Sequence, residues 1–223
     1  MAGILYPFPS PPPGSSVFDH FNDRVTGDLP WTEMDFKSVS DTLYSRTISG
    51  RVQTRSFSMQ YFEWKAIFTP MTDLQIRPIF ALAHSLSGRN QAFTITLPTT
   101  PHIGTIVQGT ASGTAGSRSL TLDTITNFSG NGNLKAGDLI NFSSDADEHY
   151  KVYMVTEDMS ITGGAGTGTV NIFPGLIKTI STPATFYTGQ NIKFLARMKN
   201  DIQTYNRSAD GFYRYEIEME ETF

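Results

Sequence analysis

Two stretches near the end of the chain, Asn191–Lys199 (NIKFLARMK) and Phe212–Glu220 (FYRYEIEME), decide the fold. In both, apolar residues alternate with mostly charged ones, and this period of two is typical of a half-buried β-strand. If the strands pair antiparallel, one face is apolar and the other sets lysine and arginine against glutamate. Such cross-strand pairs contribute about 0.2–1 kcal/mol each and fix register. The pattern therefore predicts two paired strands with a charged outer face.

An earlier segment supplies a helix and a further strand to the same predicted domain. Asp73–Leu86 carries apolar residues at helical spacing, and Thr72 stands where it can cap the helix. The strand Ala92–Leu97 follows and ends at Pro98. We expect the helix to pack against the sheet that contains the two terminal strands.

A hairpin is predicted before this helix. Leu43–Met59 is rich in threonine, serine and β-branched or aromatic residues, and Ser49-Gly50 interrupts it in the middle. Beyond it, the apolar positions change parity, from Phe57, Met59 and Tyr61 to Phe62, Trp64, Ala66 and Phe68. A bulge or sharp bend near Tyr61 would keep both apolar sets in a core.

Residues 99–190 separate the two halves of this domain and differ in composition. They hold thirteen of the nineteen glycines of the chain, which favours many turns between short strands. Their clearest strands are Leu134–Phe142, Tyr150–Thr156 and Gly168–Phe173, with a tight turn at Lys135–Asp138. A small closed barrel of five or six strands is the simplest solution.

The predicted fold class is therefore mainly β. Residues 1–98 and 191–223 form a discontinuous host domain, a β-sandwich or barrel with one helix, and residues 99–190 form an inserted β-barrel. At 223 residues the chain is long enough to bury a substantial core.

Composition excludes several classes of function. The net charge of −4 argues against binding nucleic acid through its phosphates, so no nucleic-acid partner is predicted. The chain has no cysteine, which removes disulfides, thiolate metal sites and cysteine nucleophiles. No apolar run approaches the roughly 20 residues that span a bilayer, so membrane insertion is not expected.

Catalytic patterns are missing as well. None of the four histidines has a second histidine at ligand or triad spacing, and the acidic cluster Asp145–His149 lacks the glycine and terminal glutamate of a calcium loop. The glycines at 163–168 are followed by a strand and not by the Lys-Ser/Thr and helix of a phosphate-binding loop. The prediction is a protein that is not an enzyme, with no catalytic, metal or cofactor site.

Two sets of residues are candidates for protein contacts. The charged face of the terminal strands is either a subunit interface or a solvated sheet face; its members are Lys193, Arg197, Lys199, Arg214, Glu216, Glu218 and Glu220. The five prolines in Pro7–Gly14 favour an extended segment, which is either a solvated tail or an arm that reaches onto a neighbour. The candidate anchors of that arm are Tyr6, Phe8, Phe18 and Phe21.

Three stretches resemble structural proteins of the tails and baseplates of tailed bacteriophages. Leu74–Leu97 (LQIRPIFALAHSLSGRNQAFTITL) resembles their helix that runs into a strand before a proline. Leu134–Thr156 (LKAGDLINFSSDADEHYKVYMVT) is similar to a barrel that many of them carry as an insertion, and YRYEIEMEE, residues 213–221, is similar to their last strand. The chain departs from the commonest pattern in its long acidic turn, Ser143–His149.

This resemblance implies a virion component of the distal-tail or hub-proximal type. Such a protein would assemble in the bacterial cytoplasm into a homo-oligomeric ring, with a hexamer favoured. The ring would connect the tail tube to the baseplate hub or fibres, with the tape-measure protein as a further partner. The alternative is a host-receptor or carbohydrate-binding module of the virion, in which Trp31, Tyr150 or Tyr153 stacks on sugar.

Overall fold

The computed structural model describes residues 6–7, 31–68, 70–95, 108–126, 132–143, 150–161, 167–189, 192 and 194–223. The chain divides into two compact units. Unit 1 takes its described residues from 1–38, 61–98 and 194–222, whereas unit 2 takes them from 39–60, 99–193 and 223. Unit 1 is thus built from segments that are distant in sequence.

The described residues form fifteen strands, one α-helix and a short 3₁₀ turn at Gly88–Asn90. The helix α1 spans Asp73–Ser85. The strands are β1 Tyr6–Pro7, β2 Trp31–Arg46, β3 Val52–Phe68, β4 Phe93–Ile95, β5 Gln108–Gly113, β6 Ser119–Thr126, β7 Gly132–Leu134, β8 Leu139–Ser143, β9 Val152–Val155, β10 Met159–Ile161, β11 Gly168–Phe173, β12 Ile180–Thr188, β13 Phe194–Met198, β14 Tyr205–Arg207 and β15 Tyr213–Glu221.

Unit 1 contains an open sheet in the order β1-β4-β13-β15-β3-β2, with β14 also paired to β15. The terminal strands pair antiparallel as the sequence predicts, with Arg197 opposite Glu220 and Met198 opposite Met219. Met198 and Met219 are buried, whereas Arg197 is exposed. The alternation of the sequence is therefore realised as one apolar and one charged face.

Helix α1 contributes an apolar stripe to the core of this unit. Ile76, Ile79 and Ala83 lie three or four residues apart, as one face of a helix requires, and all three are buried. The helix begins where the N–H of Ile76 donates to the carbonyl of Thr72, and Asp73 forms an ion pair with Arg77 one turn later. The predicted helix is confirmed, with its end at Ser85.

An aromatic cluster fills the core beside strands β2, β3 and β13. Phe194 lies with its ring centroid 5.3 Å from that of Trp64 and 6.0 Å from that of Phe62. Phe36 stacks on Phe62 at 4.9 Å. Aromatic pairs at these separations add about 0.5–1.5 kcal/mol to the area they bury.

The inserted segment leaves and re-enters the sheet at adjacent positions. Strands β4 and β13 are antiparallel neighbours, and Ile95, the last residue of β4, is the direct partner of Phe194, the first residue of β13. The intervening residues 96–193 therefore replace what would be a hairpin turn.

Unit 2 contains a closed six-stranded barrel in the order β11-β6-β5-β12-β8-β9, with β11 and β9 also paired to each other. Inward residues such as Leu122, Tyr153, Val170 and Phe186 are completely or almost completely buried. Closure pairs every strand on both sides and so removes exposed sheet edges. A small barrel of five or six strands is what the sequence predicts.

The predicted tight turn at Lys135–Asp138 is present and is fixed by two carboxylates. The N–H of Asp138 donates to the carbonyl of Lys135, and Gly137 takes a positive φ of 98°. Asp138 in turn accepts from the N–H of Lys135, and Asp158 accepts from the N–H of Ala136 and the amine of Lys135. The amine and N–H hydrogen bonds lower the pKa of Asp158 below its ordinary value.

Strands β2 and β3 form a longer hairpin than the sequence predicts. The argument for a bulge near Tyr61 is wrong, because it required Met59 to enter a core. Phe62, Trp64, Ala66 and Phe68 are buried as expected, but Met59 is exposed. The change of parity needs no bend to bring Met59 into a core, because the outer part of the hairpin lies outside the core.

The structure confirms the predicted fold class: a mainly β chain with one helix in its described part and a small closed barrel. The boundaries 1–98, 99–190 and 191–223 stay a prediction. The outer part of the hairpin, residues 39–60, belongs to unit 2, the unit that contains the barrel.

Candidate functional site

The charged outer face of the unit 1 sheet is partly paired within the chain. We call it the charge ladder, and its members are Glu63, Lys65, Arg197, Lys199, Arg214, Glu216, Glu218 and Glu220. The amine of Lys199 lies 2.6 Å from Glu63, and Lys65 pairs with Glu216. Glu218 accepts a hydrogen bond from the amide of Asn200, and Glu220 lies 3.6 Å from Arg89. The ladder thus spans three strands and the loops beside them.

Electrostatics follow from these pairs. The Glu63 carboxylate that accepts from Lys199 raises the pKa of that amine, and Glu216 does the same for Lys65. Ion pairs this exposed to solvent contribute little to stability, because water and salt screen them. Their chemistry suits fixing the register of the sheet.

Two members of the candidate interface differ from the others. Arg197 and Arg214 are exposed, and neither has an ion pair within the described part of the chain. The side chain of Lys193 lies outside the described residues. The assignment of these seven residues to a subunit interface stays a prediction.

The N-terminal arm is described at two residues only. Strand β1 pairs parallel with β4 of the same chain, with Tyr6 opposite Phe93 and Pro7 opposite Thr94. Phe8, Phe18 and Phe21 lie outside the described residues. Contact of this segment with a neighbouring subunit stays a prediction.

A second surface is the outer part of the β2–β3 hairpin, residues 40–55, which we call the hairpin arm. Every residue in it is exposed. The turn is closed by hydrogen bonds from the N–H of Thr47 to the carbonyl of Arg51 and from the N–H of Gly50 to the carbonyl of Thr47. Gly50 takes the positive φ of 81° that the turn requires. The arm is thus an ordered ribbon that presents its side chains to solvent.

A third surface is a groove of about 460 Å³ beside strand β15. We call it the 200–218 groove; it is lined by Asn200, Ile202, Gln203, Thr204, Asn206, Arg214, Glu216 and Glu218. Amides, one guanidinium and two carboxylates supply polar partners, and Ile202, 83% exposed, supplies an apolar one. Such a lining fits a peptide segment that carries both charged and apolar groups.

Tyr215 holds the wall of this groove in place. Its phenol donates to Gln203 Oε1 at 2.7 Å, and the amide of Gln203 donates to the carbonyl of Asn200 at 2.8 Å. Burial raises the pKa of Tyr215 to about 12. The neutral phenol is therefore part of the folded state well above the ordinary pH of tyrosine ionisation.

Stability is expected to fall between about pH 10 and pH 12 because of Tyr215. In this range the unfolded chain loses the phenolic proton at its ordinary pKa of about 10, while the folded chain keeps it. The contribution is complete below pH 10 and is lost as the pH rises through the folded pKa. A shift of this size corresponds to roughly 2–3 kcal/mol.

Urea unfolding at a series of alkaline pH values tests this expectation against Tyr215→Phe. The variant loses about 1 kcal/mol at neutral pH with the hydrogen bond to Gln203. The wild type should then lose more stability than the variant as the pH rises, so the difference between them narrows and reverses before pH 12. A difference that does not change with pH would contradict the assignment.

Within the described ranges, three observations bear on catalysis or metal binding. No group of three or more histidine, aspartate or glutamate residues that could hold a metal occurs among the described residues. His84 is exposed, with its ring nitrogen 3.1 Å from the carbonyl of Phe80. The amine of Lys151 is buried, donates to Gln60 and lies 5.1 Å over the ring of Phe223.

The aromatic residues named for sugar stacking are not equally placed. Tyr153 is completely buried in the barrel core, and its hydroxyl accepts from the N–H of Ile177, so it is wrong as a stacking platform. Tyr150 is half-buried, and the side chain of Trp31 lies outside the described part.

None of the described helices is long and apolar enough to cross a membrane.

Comparison with known proteins places the chain in no family. No protein-family model matches the sequence, and no curated protein matches it. The function must therefore be argued from the three surfaces: the charge ladder, the hairpin arm and the 200–218 groove.

Sequence reasoning found the hairpin that carries the arm and the part of the charge ladder on the terminal strands, but it missed Glu63, Lys65 and the groove. The ladder shows as alternation within two strands. The sequence indicates the full length of the arm only weakly, through the threonine, serine and arginine residues on both sides of Gly50. The groove has no such signal, because residues 200–206 show no periodicity and acquire their position from β15.

Proposed function

We propose that the chain is a structural subunit of a bacteriophage tail tip or baseplate. It would assemble into a homo-oligomeric ring, with six copies favoured, that connects the tail tube to the hub or fibres. The subunit would work without catalysis, through surfaces that bind its own copies and neighbouring tail proteins.

The observation that carries this proposal is the insertion of a closed barrel into an open sheet. Ile95 and Phe194 are direct partners in the sheet although 98 residues lie between them. The resemblance to tail proteins implies two roles: the host domain forms the ring, and the inserted module contacts other tail proteins. The arm of exposed residues at 40–55 adds a feature suited to subunit contacts.

The alternative, a carbohydrate-binding or receptor-binding module, has less support. A sugar site commonly needs an exposed aromatic face, and the buried Tyr153 removes one of the three named candidates. The polar lining of the 200–218 groove could bind hydroxyl groups, so a glycan array is a direct check. Saturable binding of one glycan class, lost in a Gln203→Ala variant, would favour the alternative.

The test of the proposal is the state of assembly of the purified chain. Light scattering after size-exclusion chromatography should give the mass of a closed oligomer, and electron microscopy should show rings of uniform diameter. In virions that contain the chain, cryo-electron microscopy should place the ring at the tip of the tail. A chain that stays monomeric at all concentrations, and that is missing from purified tails, would overturn the proposal.

A further inference from the structure

The hairpin arm exposes apolar side chains on both of its faces. Leu43 and Tyr44, which are 54% and 63% exposed, are consecutive and so point to opposite sides of β2. At the tip, Ile48 is fully exposed. A two-stranded ribbon without a covering layer is only marginally stable in water. Apolar exposure on both faces therefore indicates a ribbon that is covered by another protein surface when it works.

The charge of the arm points to an acidic partner. Residues 40–55 contain Arg46, Arg51 and Arg55 against a single acid, Asp41, so the arm carries a net charge of +2. None of the three arginines forms an ion pair within the described residues. Arginine presents a planar set of donors that suits carboxylates, and it is enriched at protein interfaces.

The 200–218 groove has the complementary character. The charged residues that line the groove are Arg214, Glu216 and Glu218, a net charge of −1. Glu216 also pairs with Lys65, but 55% of its side chain stays exposed. Glu216 and Glu218 line the groove together with the exposed Ile202. The amides of Asn200, Gln203 and Asn206 add donors and acceptors that can satisfy the polar backbone of an incoming strand or turn.

We propose that the hairpin arm of one copy docks in the 200–218 groove of a second copy. The occupant is a second copy because the same chain offers both an exposed basic, apolar ribbon and an exposed acidic groove with an apolar residue at its rim. Arginines 46, 51 and 55 pair with the groove carboxylates, and Ile48 packs near Ile202. Opposite charges on the two surfaces also steer the encounter and fix its orientation.

The geometry of such a contact has a consequence for assembly. Arm and groove are different surfaces, so the contact is head-to-tail and leaves each copy with one free arm and one free groove. Repetition of a head-to-tail contact closes into a ring when the rotation permits, whereas a two-fold dimer would use the same patch twice. The inference rests on the proposed ring function and names the surfaces that would close the ring.

Cysteine trapping tests the contact directly, because the chain has no native cysteine. Two single variants, Ile48→Cys and Ile202→Cys, are purified separately, mixed and treated with a short bis-maleimide. Trapped dimers are expected in the mixture and not in either variant alone. The matched control replaces Ile202→Cys with Ile177→Cys, an exposed isoleucine of the barrel segment, and should give no trapped product.

Charge reversal supplies an independent measurement. Arg46→Glu, Arg51→Glu and Arg55→Glu together should weaken self-association by about tenfold or more in sedimentation velocity, because the reversal places like charges opposite each other in the contact. Lys178→Glu, an exposed reversal outside the arm, is the control. Ile48→Asn removes the apolar tip without changing the charge of the arm, and it should also weaken assembly while leaving the unfolding curve of the monomer unchanged.

The outcomes separate this inference from the proposed function. Trapping between positions 48 and 202, with weakened assembly of the arm variants, supports both. Rings that form normally in the arm variants, with no trapping, overturn the arm-in-groove contact and leave the ring function standing. A wild-type chain that stays monomeric at all concentrations overturns the arm-in-groove contact, and its absence from purified tails as well overturns the ring function.

Discussion

Replacing Phe194 by alanine is expected to lower the free energy of unfolding by about 3–5 kcal/mol. Phe194 has no exposed surface, and its ring lies within 6.0 Å of those of Phe36, Phe62 and Trp64. Removing it leaves a cavity among three aromatic rings on neighbouring strands, and rings of that size cannot collapse into it. The loss comprises the transfer energy of the side chain and the contacts forgone around the cavity.

Tryptophan fluorescence during urea unfolding measures this effect selectively. The two tryptophans, Trp31 and Trp64, both belong to unit 1, so the signal reports on that unit. Phe212→Ala is the matched control, since Phe212 is exposed and its removal should cost less than 1 kcal/mol. Equal shifts of the midpoint in the two variants would show that the aromatic cluster is not the centre of the core.

Phe186→Ala is expected to destabilise the barrel by a similar amount, about 3–5 kcal/mol. Phe186 is completely buried in β12, which lies between β5 and β8. Its register partners are Phe142 on one side and Gly109 on the other. Gly109 has no side chain and the next residue on the same face of β5, Ala111, has only a methyl group, so this strand can fill little of the space that the phenyl ring leaves.

Hydrogen exchange read by mass spectrometry locates the effect of Phe186→Ala. Amides of β5, β8 and β12 should exchange faster, in proportion to the lost stability of the barrel. Thr185→Ala, at the exposed neighbouring position of the same strand, should leave these rates nearly unchanged. Barrel amides that stay protected in the Phe186 variant would rule out the proposed role of this side chain in the core.

The parts of the fold that the sequence predicted are those set by local periodicity. The helix at 73–85, the antiparallel terminal strands and the turn at Lys135–Asp138 each follow from patterns within about fifteen residues. The closed barrel could be predicted from composition, because many glycine-bounded short strands require closure to protect their edges. These features depend little on what the rest of the chain does.

The parts that the sequence did not predict depend on distant partners. The carboxylate that binds Lys199 comes from Glu63, which is 136 positions away in the chain. Arg89 reaches Glu220 from a loop after the helix. The bend expected near Tyr61 rested on the assumption that every apolar residue enters a core, and the exposed Met59 violates it. Exposed apolar residues in a strand carry no local mark that distinguishes them from buried ones.

The direct pairing of Ile95 with Phe194 makes residues 96–193 a removable cassette. Antiparallel partners lie only about 4.5–5.5 Å apart, so a two-residue turn could join them and keep every other register in the sheet. By the same geometry, inserted segments of different length or fold could be exchanged at this point. The entropic cost of closing a longer insertion grows only slowly with its length. Lineages that share the sheet could therefore diverge in what they carry between these two residues.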